Sequence, residues 1–125
     1  MTFSTEEIVA VTRLVNVMIM ADGSADKREV GTLSHELARL GVGPEQQPGV
    51  LDTALALRPV DAVARVARMD QERKRYVSAF LANAMISNGE IHDAELVQWR
   101  QLTHLCELPE MSIEQALSYL IKLGE

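Results

Sequence analysis

Two stretches of this 125-residue chain repeat one another at a constant distance, and the duplication limits the folds open to it. Asp22-Gly23-Ser24-Ala25-Asp26-Lys27-Arg28-Glu29 aligns with Asn88-Gly89-Glu90-Ile91-His92-Asp93-Ala94-Glu95, each residue 66 positions from its counterpart. The apolar stripe upstream repeats at the same distance, with Val77 standing for Val11 and Leu81 for Val15. Stacked short repeats have periods of about 20–50 residues, so a longer one marks two copies of a helical hairpin rather than a solenoid.

The hydrophobic residues are of the kind that close-packed helices use: they make up 47% of the chain, yet aromatics are only 4%. Strands would ask for more β-branched and aromatic side chains. The expected class is all-α, about seven helices in a single bundle built from two pseudo-symmetric helical hairpins. A chain of this length buries one core, so residues 1–125 are expected to form one domain. Ser4 and Glu7 have the spacing of a capping box and start the first helix, whose stripe is Ile8, Val11, Leu14, Val15, Met18 and Ile19. That helix is expected to end at Asp22-Gly23. A second helix runs from the Asp26-x-x-Glu29 cap to Gly41, with Val30, Leu33, Leu37 and Leu40 inward. Pro59 divides two shorter helices near 49–57 and 60–69, and Val60, Val63, Ala64, Ala67 and Met69 are the expected packing positions of the second. Asp70 caps the helix that repeats the first. A sixth helix carries Leu96, Trp99, Leu102, Leu105 and Cys106, and a seventh, opened by Ser112-Ile113-Glu114-Gln115, turns Ile113, Ala116, Leu117, Leu120 and Ile121 inward.

A net charge of −6 argues against nucleic acid as the main partner, because counterion release needs a positive field. Six of the twelve basic residues nevertheless lie between Arg58 and Arg75. Such a run is ordinarily a solvated face; its functional alternative is docking to an anionic membrane surface, an acidic protein or nucleic acid, and without interleaved aromatics it does not suit single-stranded nucleic acid. The apolar run from Ile8 to Ala21 follows two glutamates and is broken by Arg13 and Asn16, which suits a core helix and not a signal or membrane segment. The expected location is cytoplasmic. A single cysteine, Cys106, rules out a disulfide within the chain and reads as a small buried hydrophobe.

The acidic turns invite comparison with a calcium loop. Gly23, Ala25, Asp26 and Glu29 fall at its sixth, eighth, ninth and twelfth places, as do Gly89, Ile91, His92 and Glu95. The first and third places, however, hold Met18 and Met20 in one copy and Ala84 and Ile86 in the other. These side chains offer a hard cation no oxygen, so an EF-hand is rejected.

Met18-Ile19-Met20-Ala21-Asp22-Gly23 with Glu29, repeated as Ile86-Ser87-Asn88-Gly89-Glu90-Ile91 with Glu95, resembles the TerB-like (tellurite resistance protein B) family over nearly the whole chain. The resemblance implies a small cytoplasmic bacterial helical domain of tellurite- and stress-resistance systems, serving with a protein partner in a stress-response assembly. It also implies a cation held by acidic residues that follow each turn. Carried over by position, the metal ligands would be Asp22, Asp26, Glu29, Glu90, His92 and Glu95. Asn88 departs from the expected aspartate, and Ser24-Ala25 makes the first turn the less acidic one. Carboxylates with one imidazole and no thiolate favour zinc or manganese over calcium or magnesium.

The same residues also suit plain capping: Asp26 as a cap, Glu29 and Glu95 at the third helical position. His92 and Glu90 are surplus to that role. The alternative to a cation module is therefore a structural protein–protein interaction domain with a basic docking face and no metal. No nucleophile-base pairing and no phosphate-cradling glycine loop can be assembled from the spacing, so no enzyme activity is expected. His35 and His104 stand alone in helix interiors, where a histidine is ordinarily a surface or hydrogen-bonded residue and not a ligand.

Overall fold

The computed structural model describes residues 2–21, 27–86, 91 and 93–123, with the backbone alone for 27–30. It is all-α. Among the described residues there are seven helices: α1 (Thr5–Ile19), α2 (Lys27–Arg39), α3 (Gln47–Ala56), α4 (Pro59–Ala67), α5 (Gln71–Ile86), α6 (Asp93–Leu105) and α7 (Ile113–Leu123). The duplication extends past the hairpin. The first residues of α1 and α5, of α2 and α6, and of α3 and α7 are each 66 positions apart, so the repeating unit is three helices. Among the described residues, α4 is the helix without a counterpart. Packing obeys the same relation: α1 lies on α3 as α5 lies on α7, and α2 leans on α5 as α6 leans on α1.

Helices α1 and α5 form the centre because α1 from Ile8 and α5 from Tyr76 carry apolar or small residues nearly all round. In α1 the predicted stripe of Ile8, Val11, Leu14, Val15, Met18 and Ile19 is buried throughout, and Val9, Ala10 and Thr12 are buried with it. In α5 the whole run Tyr76 to Ala82 is buried, with Ala84 and Met85 following. The N-terminal ends of the two helices meet. Arg73 Nε donates to the Thr2 carbonyl (2.8 Å), and the rings of Phe3 and Tyr76 stand 5.3 Å apart. Arg13, which interrupts the apolar run, is put to use at the flank, its Nε donating to the carbonyl of Leu57 at the end of α3 (2.9 Å) and its Nη1 to Asn16 (2.9 Å).

The helix starts follow the sequence. Ser4 and Glu7 form a reciprocal capping box, Asp70 accepts the Arg73 amide (2.8 Å), and Ser112 and Gln115 form a second box. The ends of α2 and α6 repeat in atomic detail. Val42 donates to the Leu37 carbonyl and Gly41 to that of Ala38; Leu108 donates to Thr103 and Glu107 to His104. Both are Schellman caps. Each needs a left-handed residue, which is Gly41 (φ 94°) in the first copy and Glu107 (φ 54°) in the second.

Three local expectations need correction. Helix α1 ends at Ile19, capped by Met20, and not at Asp22-Gly23. In α4 the inward residues are Ala62 and Val66, followed by Met69, whereas Val60 and Ala64 are exposed. A nine-residue helix lying on α1 buries a narrow strip, which here runs beside the charged row of Asp61 and Arg65, so Val63 and Ala67 opposite that row are only half-buried. In α6 and α7, Leu105 and Ile121 face solvent while Cys106, Ala116 and Leu120 are buried; each exposed residue lies one helical step from the buried row.

The two caps generate a paired prediction. A left-handed residue with a Cβ costs about 1 kcal/mol or more. Glu107→Gly should raise stability in urea unfolding by about that amount, and Gly41→Ala should lower it by a similar amount.

Candidate functional site

The predicted cation site falls mostly outside the described residues: Asp22, Asp26, Glu90 and His92, together with Asn88, lie there. Glu29 is placed in the first turn of α2 by its backbone alone. Glu95 is the ligand candidate whose side chain is described, and it is the third residue of α6 and fully buried. A glutamate that merely capped a surface helix would lie at the surface. One held inside must be met by charge or by donors, since burying a carboxylate costs several kcal/mol. Among the described residues no group of three His, Cys, Asp or Glu side chains could hold a metal ion.

A second buried carboxylate went unnoticed in the sequence. Glu36 on α2 is 1% exposed, accepts a 2.7 Å hydrogen bond from the Tyr76 hydroxyl on α5, and stands 3.8 Å from Arg39. Burial, then the bond to Glu36 and its negative charge, push the Tyr76 phenol far up, so it remains a donor. The counterparts of this pair in the other copy are Leu102 and Ala10, both buried. A polar bond thus stands in one half where hydrocarbon fills the other. Tyr76→Phe should cost about 1–3 kcal/mol, because it strands a buried acceptor, and adding Glu36→Leu, the residue of the second copy, should recover most of that loss in the same unfolding assay.

Cys106 is fully buried, and burial pushes its thiol up to about 11, against a smaller opposing pull from the Lys74 charge. Lys74 is itself buried, in the place that Ile8 takes in the first copy. The thiol is therefore a protonated core residue, as expected. Folding raises this pKa, so the native state keeps a proton that the unfolded chain loses. The associated stability is whole below pH 9.0 and lost as pH rises toward 11. The stability difference between wild type and Cys106→Ala should shrink across that window, and a disulfide reagent at pH 8 should label Cys106 only in denaturant.

Several members of the basic run are engaged locally. Arg58 pairs with Asp61 (3.0 Å), Arg73 with Asp70 and Glu7, and the Arg75 guanidinium lies 6.0 Å from the Tyr119 ring centre. Arg68 donates to the Ala64 carbonyl (3.2 Å), and Arg65 to that of Glu6 (3.4 Å). His35 and His104 are exposed on separate helices, as expected.

One concavity was not anticipated. A cavity of about 830 Å³ opens between the second half of α6 and the connector into α7, floored by Leu96, Trp99, Leu108 and Ile113. Arg100 and His104 stand on its α6 wall, Glu107 and Glu110 on the connector. The matching corner of the first copy is bridged by hydrogen bonds. There Ser34 Oγ donates to Gln47 Oε1 (2.6 Å), and Gln47 Nε2 donates to the carbonyls of Ser34 (3.2 Å) and Val42 (3.3 Å). Ser34 and Gln47 correspond to Arg100 and Ile113 at the 66-residue spacing, which is the signal that reading along the chain passed over.

With this geometry in place, comparison with solved structures adds a relative. The crystal structure of a protein of unknown function from Porphyromonas gingivalis matches this chain with a TM-score of 0.88 and 36% sequence identity, over 98% of each chain. The two chains belong to one family. No protein-family model matches the chain, and no curated protein matches it. The family relationship therefore confirms the helical architecture, and the functional reading rests on the residues.

Proposed function

We propose that the chain is a non-catalytic helical module whose two related turns bind a divalent cation, in the manner that its resemblance to the TerB-like family implies. The observation that carries this reading is the full burial of Glu95, at the third position of a helix that directly follows one of the two turns. Its counterpart Glu29 follows the other. The duplication then supplies two equivalent ligand sets, Asp22, Asp26 and Glu29 from one copy and Glu90, His92 and Glu95 from the other, with zinc or manganese preferred to calcium or magnesium by the single imidazole.

The absence of catalysis in this proposal is supported by the state of the side chains. Cys106 is a buried, protonated thiol, and the described histidines lie exposed on separate helices. No described helix is long and apolar enough to cross a membrane. A cytoplasmic place in a stress-response assembly, with a protein partner, completes the proposal. Docking to anionic lipid through Arg58–Arg75 is the weaker partner reading, because Arg58 and Arg73 already pair with carboxylates.

The test is a titration of metal-free protein with zinc, manganese and calcium by calorimetry. Wild type should bind zinc or manganese more tightly than calcium, and Glu29→Gln with Glu95→Gln should lose at least tenfold in affinity, a change of about 1.4 kcal/mol. Wild-type affinity no greater than that of the double variant would remove the cation and leave an interaction domain.

A further inference from the structure

We propose that the cleft between α6 and α7 binds a peptide segment of a partner protein, which lays a large apolar side chain against Leu96, Trp99 and Ile113 and sets a neighbouring carboxylate against Arg100. The inference is independent of the cation reading and uses none of its residues.

The first half of the protein displays the kind of group that this corner accepts. Gln47 fills it with a carboxamide, whose NH2 donates to two backbone carbonyls and whose oxygen accepts from Ser34. In the second half Ile113 stands in the place of Gln47, and the carboxamide is gone. Leu108 takes the place of Val42, and among the described residues nothing donates to its carbonyl. What remains is the cavity of about 830 Å³, inside the range of roughly 300–1,000 Å³ that ligand sites occupy.

The missing interactions define the occupant. A peptide amide restores both a donor for the Leu108 carbonyl and an acceptor, while an apolar side chain covers the half-buried Leu96 and Ile113 above the buried Trp99. Arg100 forms no ion pair among the described residues, and a guanidinium in place of the Ser34 hydroxyl calls for a carboxylate. A fatty acid would meet Arg100 but leave the Leu108 carbonyl unanswered, which favours peptide over lipid. Glu107 and Glu110 on the connector are exposed and repel further acidic residues, so the segment carries one carboxylate beside its apolar anchor.

Trp99 is the one tryptophan in the chain and lines the cleft, so its emission reads occupancy directly. An acetylated and amidated Leu-Phe-Asp tripeptide should change that emission saturably. Its Leu-Phe-Asn analogue should bind wild type about fivefold more weakly, and Arg100→Gln should bind the two peptides alike. A Leu-Ala-Asp peptide should give no saturable change. Arg100→Ser with Ile113→Gln rebuilds the clamp of the first copy and should abolish binding, with circular dichroism showing the variant folded. Arg100 is exposed, so Arg100→Gln keeps the test decisive even if the double variant fails to fold. The proposal is overturned by no saturable response in wild type, by equal binding of the Asp and Asn peptides, or by undiminished binding to the folded clamp variant. Tighter binding of dodecanoate than of the tripeptide would overturn it too and assign the cleft to lipid.

Discussion

The packing of α1 against α5 is the contact on which the rest of the structure depends. Both helices are buried on nearly every side, which two neighbouring helices cannot achieve alone. Each must be covered by its own hairpin partner, by the hairpin partner of its twin and by a third helix. The cross-packing of α2 on α5 and α6 on α1 follows from that demand: neither three-helix unit closes its own core. The duplicated halves are therefore not two domains joined in a chain. Each supplies the other's missing wall, and a single hydrophobic cluster runs through both.

Within this shared frame the two copies have diverged at chosen points. At one pair of equivalent positions Glu36 and Tyr76 form a buried bond, while Leu102 and Ala10 fill the other pair with hydrocarbon. A polar pair in a core adds little net stability over packed apolar residues, but it admits only one alignment of α2 on α5. An apolar pair tolerates sliding. The pair thus marks one of the two related hairpin interfaces with a bond that the other lacks.

The sequence disclosed the architecture better than the surface. The capping residues Ser4, Asp70 and Ser112 and the left-handed Gly41 marked helix ends correctly, because each acts through local backbone chemistry that its neighbours in sequence complete. Glu107 in the left-handed region was not legible from its residue type; only its register with Gly41 reveals it. The buried strip of α4 was missed because it runs beside the charged row of Asp61 and Arg65 and not opposite it, an offset set by the packing of α4 on α1. Glu36 was invisible for the opposite reason. Its partner Tyr76 is 40 residues away, and a charged residue beside Leu37 reads as surface. As for the candidate cation site, Glu95 emerged from motif position, yet its burial could come only from tertiary structure. The cleft left no motif at all, since it arises from what Ile113 and Arg100 fail to do.

Duplication explains why such a failure can be tolerated. A corner between a helix end and the following helix is ordinarily closed, because open apolar surface there forgoes burial worth about 25 cal/mol per Å². In the first copy Ser34 and Gln47 close it with three hydrogen bonds and anchor α3 to α2. In the second copy α7 does not need that anchor, because it packs extensively along α5 and begins with its own capping box at Ser112. Once the helix is held from the other side, the corner is free to stay open. The floor residues Trp99 and Leu108 stay buried in the core, and Leu96 and Ile113 are left half-buried at the opening, so an open corner costs the second copy little of its own packing.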